Sequence, residues 1–306
     1  MKKILLIGSN GYIGSRIFLE LKDLHDITKV DIGWYSDCIS MDMKNIDDIS
    51  MYDCIILLAG HSSVKMCDSD MESSYYNNVD NFIKLIGKLN KSQKFIYASS
   101  SSVYGNTGDK IVDETHTNFE PNNYYDLTKK IIDMYAEMSN VEYYGLRFGT
   151  VNGYSPIFRN DIMINAMMFN ALNDGNINLY IKDIRRPILG IKDLVRAVCT
   201  IIDNGSYDKR GLYNLCSFNS TPEEIAYKIS SKLNIEVKEL EIQDVNKITN
   251  VKLQVNSYNF AINCDKFIKN FNFEFTETID SIVEEIIENY DIMIKNNRTE
   301  KKEYGK

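Results

Sequence analysis

Four uninterrupted apolar residues, 4–7, lead into a glycine-rich turn, and behind it apolar positions recur at Ile13, Ile17 and Leu21. An unbroken apolar run is the pattern of a parallel strand covered on both faces, whereas a spacing of four is that of an amphipathic helix. The alternation continues. Strand-like runs fall at 27–32, 54–59, 94–98 and 143–148, and helical stretches at 73–90 and 122–139. Strands separated by helices of this length predict an α/β fold with a doubly wound parallel sheet of the Rossmann type. Ligands of such sheets bind at the carboxyl ends of the strands.

Beyond residue 155 the rhythm loosens. Residues 161–172 and 191–202 read as helices and 178–181 and 212–215 as short strands. Pro222 opens another helix behind Ser220 and Thr221, both good N-caps. Ile279, Ile282, Ile286, Ile287 and Ile294 predict a closing helix over 276–295, and the charged end, 295–306, is expected to fray. The expected organisation is a cofactor domain over 1–155, rejoined by 186–215. A smaller C-terminal α/β substrate lobe would come from 156–185 and 216–306.

Composition narrows the class. Of 306 residues, 44% are hydrophobic and 25% charged, enough for a sizeable core and incompatible with global disorder. Acidic residues outnumber basic ones 43 to 35, for a net charge of −8, and the arginines are scattered, which argues against a nucleic-acid partner. No apolar run approaches the roughly 20 residues that span a bilayer, and 4–7 is too short for a signal peptide. Six cysteines without a Cys-x-x-Cys pair fit reduced thiols in a cytoplasmic protein, with no disulfide framework and no metal site.

The turn after the first strand reads Gly8-Ser9-Asn10-Gly11-Tyr12-Ile13-Gly14. Three glycines between a buried strand and a helix suit a tight turn, close backbone approach to a pyrophosphate, and close helix packing. The free N–H groups of the helix start then face the phosphates. Asp31, at the end of the second strand, is placed to accept both adenosine-ribose hydroxyls. A carboxylate there repels a 2′-phosphate, which favours NAD over NADP.

Tyr125 and Lys129 are four residues apart and share one helix face. The spacing alone is commonplace; the placement is not. The pair follows the fourth strand, whose end carries Ser99-Ser100-Ser101-Ser102, so phenol, ammonium and serine should meet at the carboxyl edge of the sheet. An ammonium near a phenol favours phenolate, so Tyr125 is expected to have a lowered pKa and to act as a general base.

These residues resemble the extended short-chain dehydrogenase/reductases of the NAD-dependent nucleotide-sugar epimerase/dehydratase family, and within it the 4-epimerases. The glycine turn at 8–14 carries the resemblance, with Leu-Leu-Ala-Gly at 57–60, Tyr-Tyr-Asn-Asn-Val at 75–79, and Ala-Ser-Ser-Ser-Ser-Val-Tyr-Gly at 98–105. Tyr-Tyr-Asp-Leu-Thr-Lys at 124–129 and Leu-Arg-Phe-Gly-Thr-Val-Asn-Gly at 146–153 complete it. The resemblance implies Ser100, Tyr125 and Lys129 as catalytic residues. It implies Asp42, Met43, Leu58, Ala59, Gly60, Asn78 and Ser99 as further contacts to NAD. Asn165 and Arg186 resemble the residues that hold a nucleotide-diphosphate sugar, and Thr150 takes the place of an asparagine that contacts the sugar. A homodimer through helices 73–90 and 122–139 is also implied.

Family members oxidise a sugar carbon, usually C4, by hydride transfer to NAD. Dehydratases follow the catalytic serine or threonine with Asp-Glu, where this chain has Ser101-Ser102. The resemblance therefore implies a 4-epimerase, in which the keto sugar rotates and recovers its hydride on the other face. A 4-dehydrogenase or 4-keto-sugar reductase is the enzymatic alternative, and an NAD-binding sensor without chemistry the third. Gly149 and Gly190 imply extra room near the pocket. Trp34 is a candidate cover for the adenine, and Asn256 replaces a family arginine that clamps the diphosphate.

Overall fold

Alternate residues of the runs 4–7 and 54–59 face two different cores, which is why neither run carries a polar position. In the computed structural model, which describes residues 1–33, 37–240 and 258–300 (backbone only over 296–300), Ile4 and Leu6 enter one core while Leu5 and Ile7 enter the other. Cys54 and Ile56 divide from Ile55 and Leu57 in the same way.

The first half runs β1 (Lys3–Ile7), α1 (Tyr12–Leu21), β2 (Asp26–Asp31), β3 (Ile39–Ser40), β4 (Cys54–Leu57), α2 (Val64–Ser69), α3 (Met71–Tyr75), α4 (Asn81–Ile86), β5 (Lys94–Ser100), β6 (Ile111–Val112), α5 (Tyr124–Glu137), β7 (Glu142–Phe148) and β8 (Thr150–Asn152). The second half runs α6 (Met163–Asp174), β9 (Asn176–Leu179), β10 (Arg186–Gly190), α7 (Ile191–Asn204), β11 (Gly211–Leu215), β12 (Phe218–Ser220), α8 (Pro222–Leu233), β13 (Glu236–Glu239), β14 (Ala261–Ile262), α9 (Asp265–Phe271) and α10 (Ile279–Glu300).

Seven strands form one parallel sheet in the order β11-β7-β5-β4-β1-β2-β3. The order reverses beside β1, so the carboxyl ends of β1 and β4 flank a topological switch point. This is the Rossmann arrangement expected from the sequence. A third core, around Ile164, Met168, Ile225 and Ile282, packs α6, α8 and α10 into the C-terminal α/β lobe. Beside the large sheet lies a three-stranded one, in which β10 pairs with β8 in parallel and with β12 antiparallel.

A buried ion pair fixes the helix that matters most. Arg147 Nε on β7 lies 2.8 Å from Asp133 Oδ2 on α5, and Tyr97 on β5 donates to the other oxygen at 3.1 Å. Arg147 also donates to Tyr104, whose hydroxyl donates to Asn214. Strands β5 and β7 thereby grip α5.

Two expected boundaries move. The helix expected over 73–90 begins at Met71, where Asp70 accepts from Ser73 N at 2.9 Å, passes through a π-turn at Tyr76–Asp80, and ends before Gly87. The last helix begins at Ile279 and reaches Glu300, so 295–300 are helical rather than a frayed tail. No glycine or proline interrupts that stretch. Trp34, Asn256 and residues 301–306 lie outside the described residues.

Candidate functional site

The glycine turn opens on the switch point. Gly8 N donates to Val30 O at 2.8 Å and Ala59 N to Ile7 O at 3.1 Å, closing the loop against both neighbouring strands. Gly8 has φ +84°, and a Cβ on it would sit 2.5 Å from Ala59 N; one on Gly14 would sit 2.0 Å from Gly8 O. Gly11 is different: it lines the cleft, and its nearest neighbour would be 3.5 Å away. No side chain caps α1, so the N–H groups of its first turn remain for a ligand.

The cleft has a volume of about 970 Å³. Gly8, Asn10, Gly11, Tyr12, Ile13 and Gly14 form one part of its wall, with Asp31, Asp42, Met43, Leu58, Ala59 and Gly60 beside them. Ser99, Ser100, Tyr125 and Lys129 form another, and Thr150 and Arg186 a third. Asp31 accepts from Asn10 N at 2.9 Å and Ile32 N at 2.8 Å, which aims its carboxylate at the loop. Ser99 Oγ is buried with no hydrogen-bond partner. The uncapped helix start, the uncrowded Gly11 and this unpaired hydroxyl are what a dinucleotide would meet, so the residues fit NAD.

Two expected contacts are placed elsewhere. Asn78 is buried behind the cleft wall and clasps the β4 loop: it accepts from His61 N at 2.7 Å and donates to His61 O and Thr128 Oγ1 at 3.1 Å each. Asn165 is fully buried, accepts from Gly153 N at 2.9 Å, and donates to Arg159 O and the Tyr12 hydroxyl. Each holds a loop that itself borders the cleft.

Tyr125, Lys129 and Ser100 come together as expected. Lys129 Nζ lies 5.7 Å from the centre of the Tyr125 ring and donates to Ala98 O at 2.8 Å, and Ser100 lines the same wall of the cleft. The expected acidification of Tyr125 is not found. Burial pushes the phenol up to about 12, outweighing the lowering influence of Ser100, and Asp126 beside it adds to the rise. Burial also pulls the Lys129 ammonium down to about 8. Desolvation disfavours both charged forms at once, so proximity alone does not produce phenolate.

Arg186 Nη1 donates to Tyr258 O, and its guanidinium lies 5.5 Å from the Phe260 ring centre. Burial lowers it to about 10, so it stays cationic at neutral pH. Arg159 also lines the cleft, gripped by Asp161 through two hydrogen bonds of 2.9 Å. The expected extra room is absent: a Cβ on Gly149 would meet Pro187 O at 2.9 Å, and one on Gly190 would meet Glu277 Oε2 at 2.3 Å. Neighbouring groups fill the space those glycines leave.

Sequence reasoning missed a polar cluster behind Ser100. Ser102 Oγ donates to Asp126 Oδ1, and Asn123 Nδ2 donates to Asp126 Oδ2 at 2.7 Å, joined there by the Tyr258 hydroxyl at 3.1 Å. All four residues line the cleft. One signal was legible: Asp126 is an acid placed between Tyr125 and Lys129 on the same helix turn.

Residues 4–216 match the family model described as "NAD dependent epimerase/dehydratase family". Protein CapI of Staphylococcus aureus is 27% identical over 232 residues, covering 65% of this chain and 69% of that protein. UDP-glucuronate 4-epimerase 6 of Arabidopsis thaliana is 26% identical, over 59% of this chain and 44% of its own length. Among solved structures, the UDP-N-acetylglucosamine 4-epimerase of Methanobrevibacter ruminantium M1, in complex with UDP-N-acetylmuramic acid, superposes with a TM-score of 0.79 at 21% identity, over 96% of this chain and 98% of that one. The UDP-glucuronic acid 4-epimerase of Bacillus cereus, in complex with UDP-glucuronic acid and NAD, gives 0.77 at 20% identity, over 96% and 99%. At these identities the solved structures speak for the fold.

Proposed function

The chain belongs to the NAD dependent epimerase/dehydratase family, and from that premise we propose that it inverts C4 of a nucleotide-diphosphate sugar. NAD supplies a hydride acceptor that can return the hydride to the same carbon. The chain does the rest. The glycine loop and first turn of α1 hold the pyrophosphate, and Asp31 accepts the adenosine-ribose hydroxyls. Tyr125 takes the C4 hydroxyl proton as the hydride leaves and gives it back, while Ser100 orients that oxygen. Arg186 binds the substrate diphosphate, where a fixed guanidinium offers paired donors. Thr150 contacts the sugar.

One observation carries this reading: phenol, ammonium and serine stand on one wall of a cleft whose other wall is an uncapped helix start. Ser101 and Ser102, where dehydratases carry Asp-Glu, favour epimerisation over loss of water. A phenol held near 12 is a weak acceptor at neutral pH. The positive charge that an oxidised nicotinamide would bring to the cleft is the additional influence the reading requires.

On the same reading, residues 1–155 with 186–215 hold the cofactor, and 156–185 with 216–306 hold the substrate. A homodimer is supported by Met71, Tyr75, Tyr124, Met134 and Tyr135, all exposed on α3 and α5; light scattering at twice the chain mass is the expected result. Free thiols at all six cysteines fit a cytoplasmic location. Among the described residues no helix is long and apolar enough to cross a membrane.

The test is a panel of UDP-, GDP-, CDP- and dTDP-sugars, UDP-sugars first, given to the purified chain without added NAD. Epimer formation without net NADH is expected, and Tyr125→Phe should keep the cofactor and lose turnover. Steady NADH accumulation would make the chain a net oxidoreductase instead.

A further inference from the structure

Tyr12 belongs to two places at once. Its main chain lies in the uncapped first turn of α1, on the wall of the cleft. Its side chain is buried in the same core as Ile17 and Ile191. Phenylalanine would fill that space equally well, so packing accounts for the ring and leaves the hydroxyl unexplained.

The hydroxyl is engaged by a distant segment. It donates to Gly153 O at 2.8 Å and accepts from Asn165 Nδ2 at 3.2 Å, while Gly153 N donates to Asn165 Oδ1 at 2.9 Å. The three bonds close a ring among buried residues. The second Asn165 amide proton goes to Arg159 O at 3.0 Å. Two residues beyond Gly153, the Ser155 hydroxyl donates to Tyr12 O. Arg16, one turn further along α1, donates to Tyr154 O at 3.0 Å and pairs with Glu285 on α10 at 2.9 Å. The segment held in this way joins β8 to α6, and Thr150 and Val151 at one end and Arg159 and Ile162 at the other line the cleft.

We propose that Tyr12 is a positioning residue that couples the two halves of the cleft. Its hydroxyl seats the strap 150–162 on the turn that holds the cofactor pyrophosphate, so a cofactor bound at that turn tightens the binding of the nucleotide sugar. The inference rests on the reading of the cleft given under the proposed function. It assigns a role to the Tyr12 side chain, whereas the glycine-loop pattern concerns the main chain there.

The coupling follows from shared partners. A pyrophosphate on the N–H groups of the first turn orders that turn. The strap is tied to the same turn by buried hydrogen bonds, and a buried polar group that loses its partner is costly, so strap and turn are ordered together. A ligand that orders one lowers the ordering cost that the second ligand meets at the other, and linkage makes the effect reciprocal. Tyr12→Phe removes one oxygen atom and leaves Gly153 O and one Asn165 N–H without that partner, which separates the two movements.

Calorimetry on the full, cofactor-free chain tests this. The substrate probe is whichever of UDP, GDP, CDP and dTDP binds most tightly, titrated with and without saturating ADP-ribose. ADP-ribose carries the pyrophosphate but lacks the nicotinamide, so it reaches the turn without presenting that ring to the second ligand. In the parent, ADP-ribose should tighten the nucleotide at least about fivefold. In Tyr12→Phe the gain should fall to about twofold or less. A smaller gain in the parent, or a larger one in the folded variant, would overturn the proposal. Should Tyr12→Phe not fold, Ser155→Ala removes the other hydroxyl of the contact and should at least halve the gain; a lesser fall overturns the proposal alone. A parent that binds neither probe refutes the reading of the cleft and the inference with it, whereas one that binds both without the gain refutes the inference only.

Discussion

Replacing Lys129 with Met should make the protein more stable and the enzyme inactive. Lys129 is 8% exposed, and burial pulls its ammonium from 10.5 to about 8, although Asp133 and Cys67 act the other way. At about 1.4 kcal/mol per tenfold change, carrying that charge costs the folded chain about 3 kcal/mol. Methionine has similar length, buries no charge, and gives up one hydrogen bond to Ala98 O, about 1 kcal/mol. The net expectation is a gain of about 2 kcal/mol, a melting temperature about 3 °C higher. The pH dependence follows from the sign. Below pH 8 both folded and unfolded chains hold the proton, so the cost is full and the variant's advantage is largest. As pH rises from 8 toward 10.5 the folded chain loses the proton first, the cost is relieved, and the advantage vanishes. Thermal melts of the cofactor-free parent and variant at pH 6.5 and about pH 10 test this. A variant less stable at the lower pH, or an offset independent of pH, would refute the burial argument. Stability gained at the expense of activity is what a strained functional group predicts.

Gly14→Ala places a Cβ 2.0 Å from Gly8 O and 2.9 Å from Ser9 Cα, so the loop must shift. Calorimetry should find NAD binding roughly 10- to 100-fold weaker, the equivalent of about 1–3 kcal/mol of overpacking. Asp133→Ala strands the buried Arg147 guanidinium, and denaturant unfolding should give a loss of about 3–5 kcal/mol. Asp133→Asn, which keeps an acceptor, should lose less.

What the sequence made legible follows from where the free energy is local. The strands 4–7 and 54–59 were readable because burial on both faces leaves continuous apolar runs, and 94–98 and 143–148 because one charged residue each, Lys94 and Arg147, leaves the rest of the run legible. The strands β6, β8, β12 and β14 were not, because two or three residues hold no period and their partners are set by distant segments. The glycine loop announced the site by residue type at fixed spacing, and Tyr125 and Lys129 by their placement behind the strand that ends in Ser99–Ser102. The electrostatics did not follow. A lysine four residues from a tyrosine reads as acidifying, but desolvation depends on what covers the pair. Asn78 and Asn165 show a similar limit: an amide beside the cleft and one behind its wall look alike in sequence. The carboxylate missing at Ser101-Ser102 reappears as Asp126, from another element that reaches the same place.

The central claim is that a hydride leaves and returns to one sugar carbon while Tyr125 carries the proton. The fate of deuterium placed at C4 of an accepted nucleotide sugar tests it most directly. Turnover without added NAD should give the 4-epimer with its deuterium retained at C4, and Tyr125→Phe should give none. Deuterium washed out to solvent, or its steady appearance in reduced cofactor, would contradict the account.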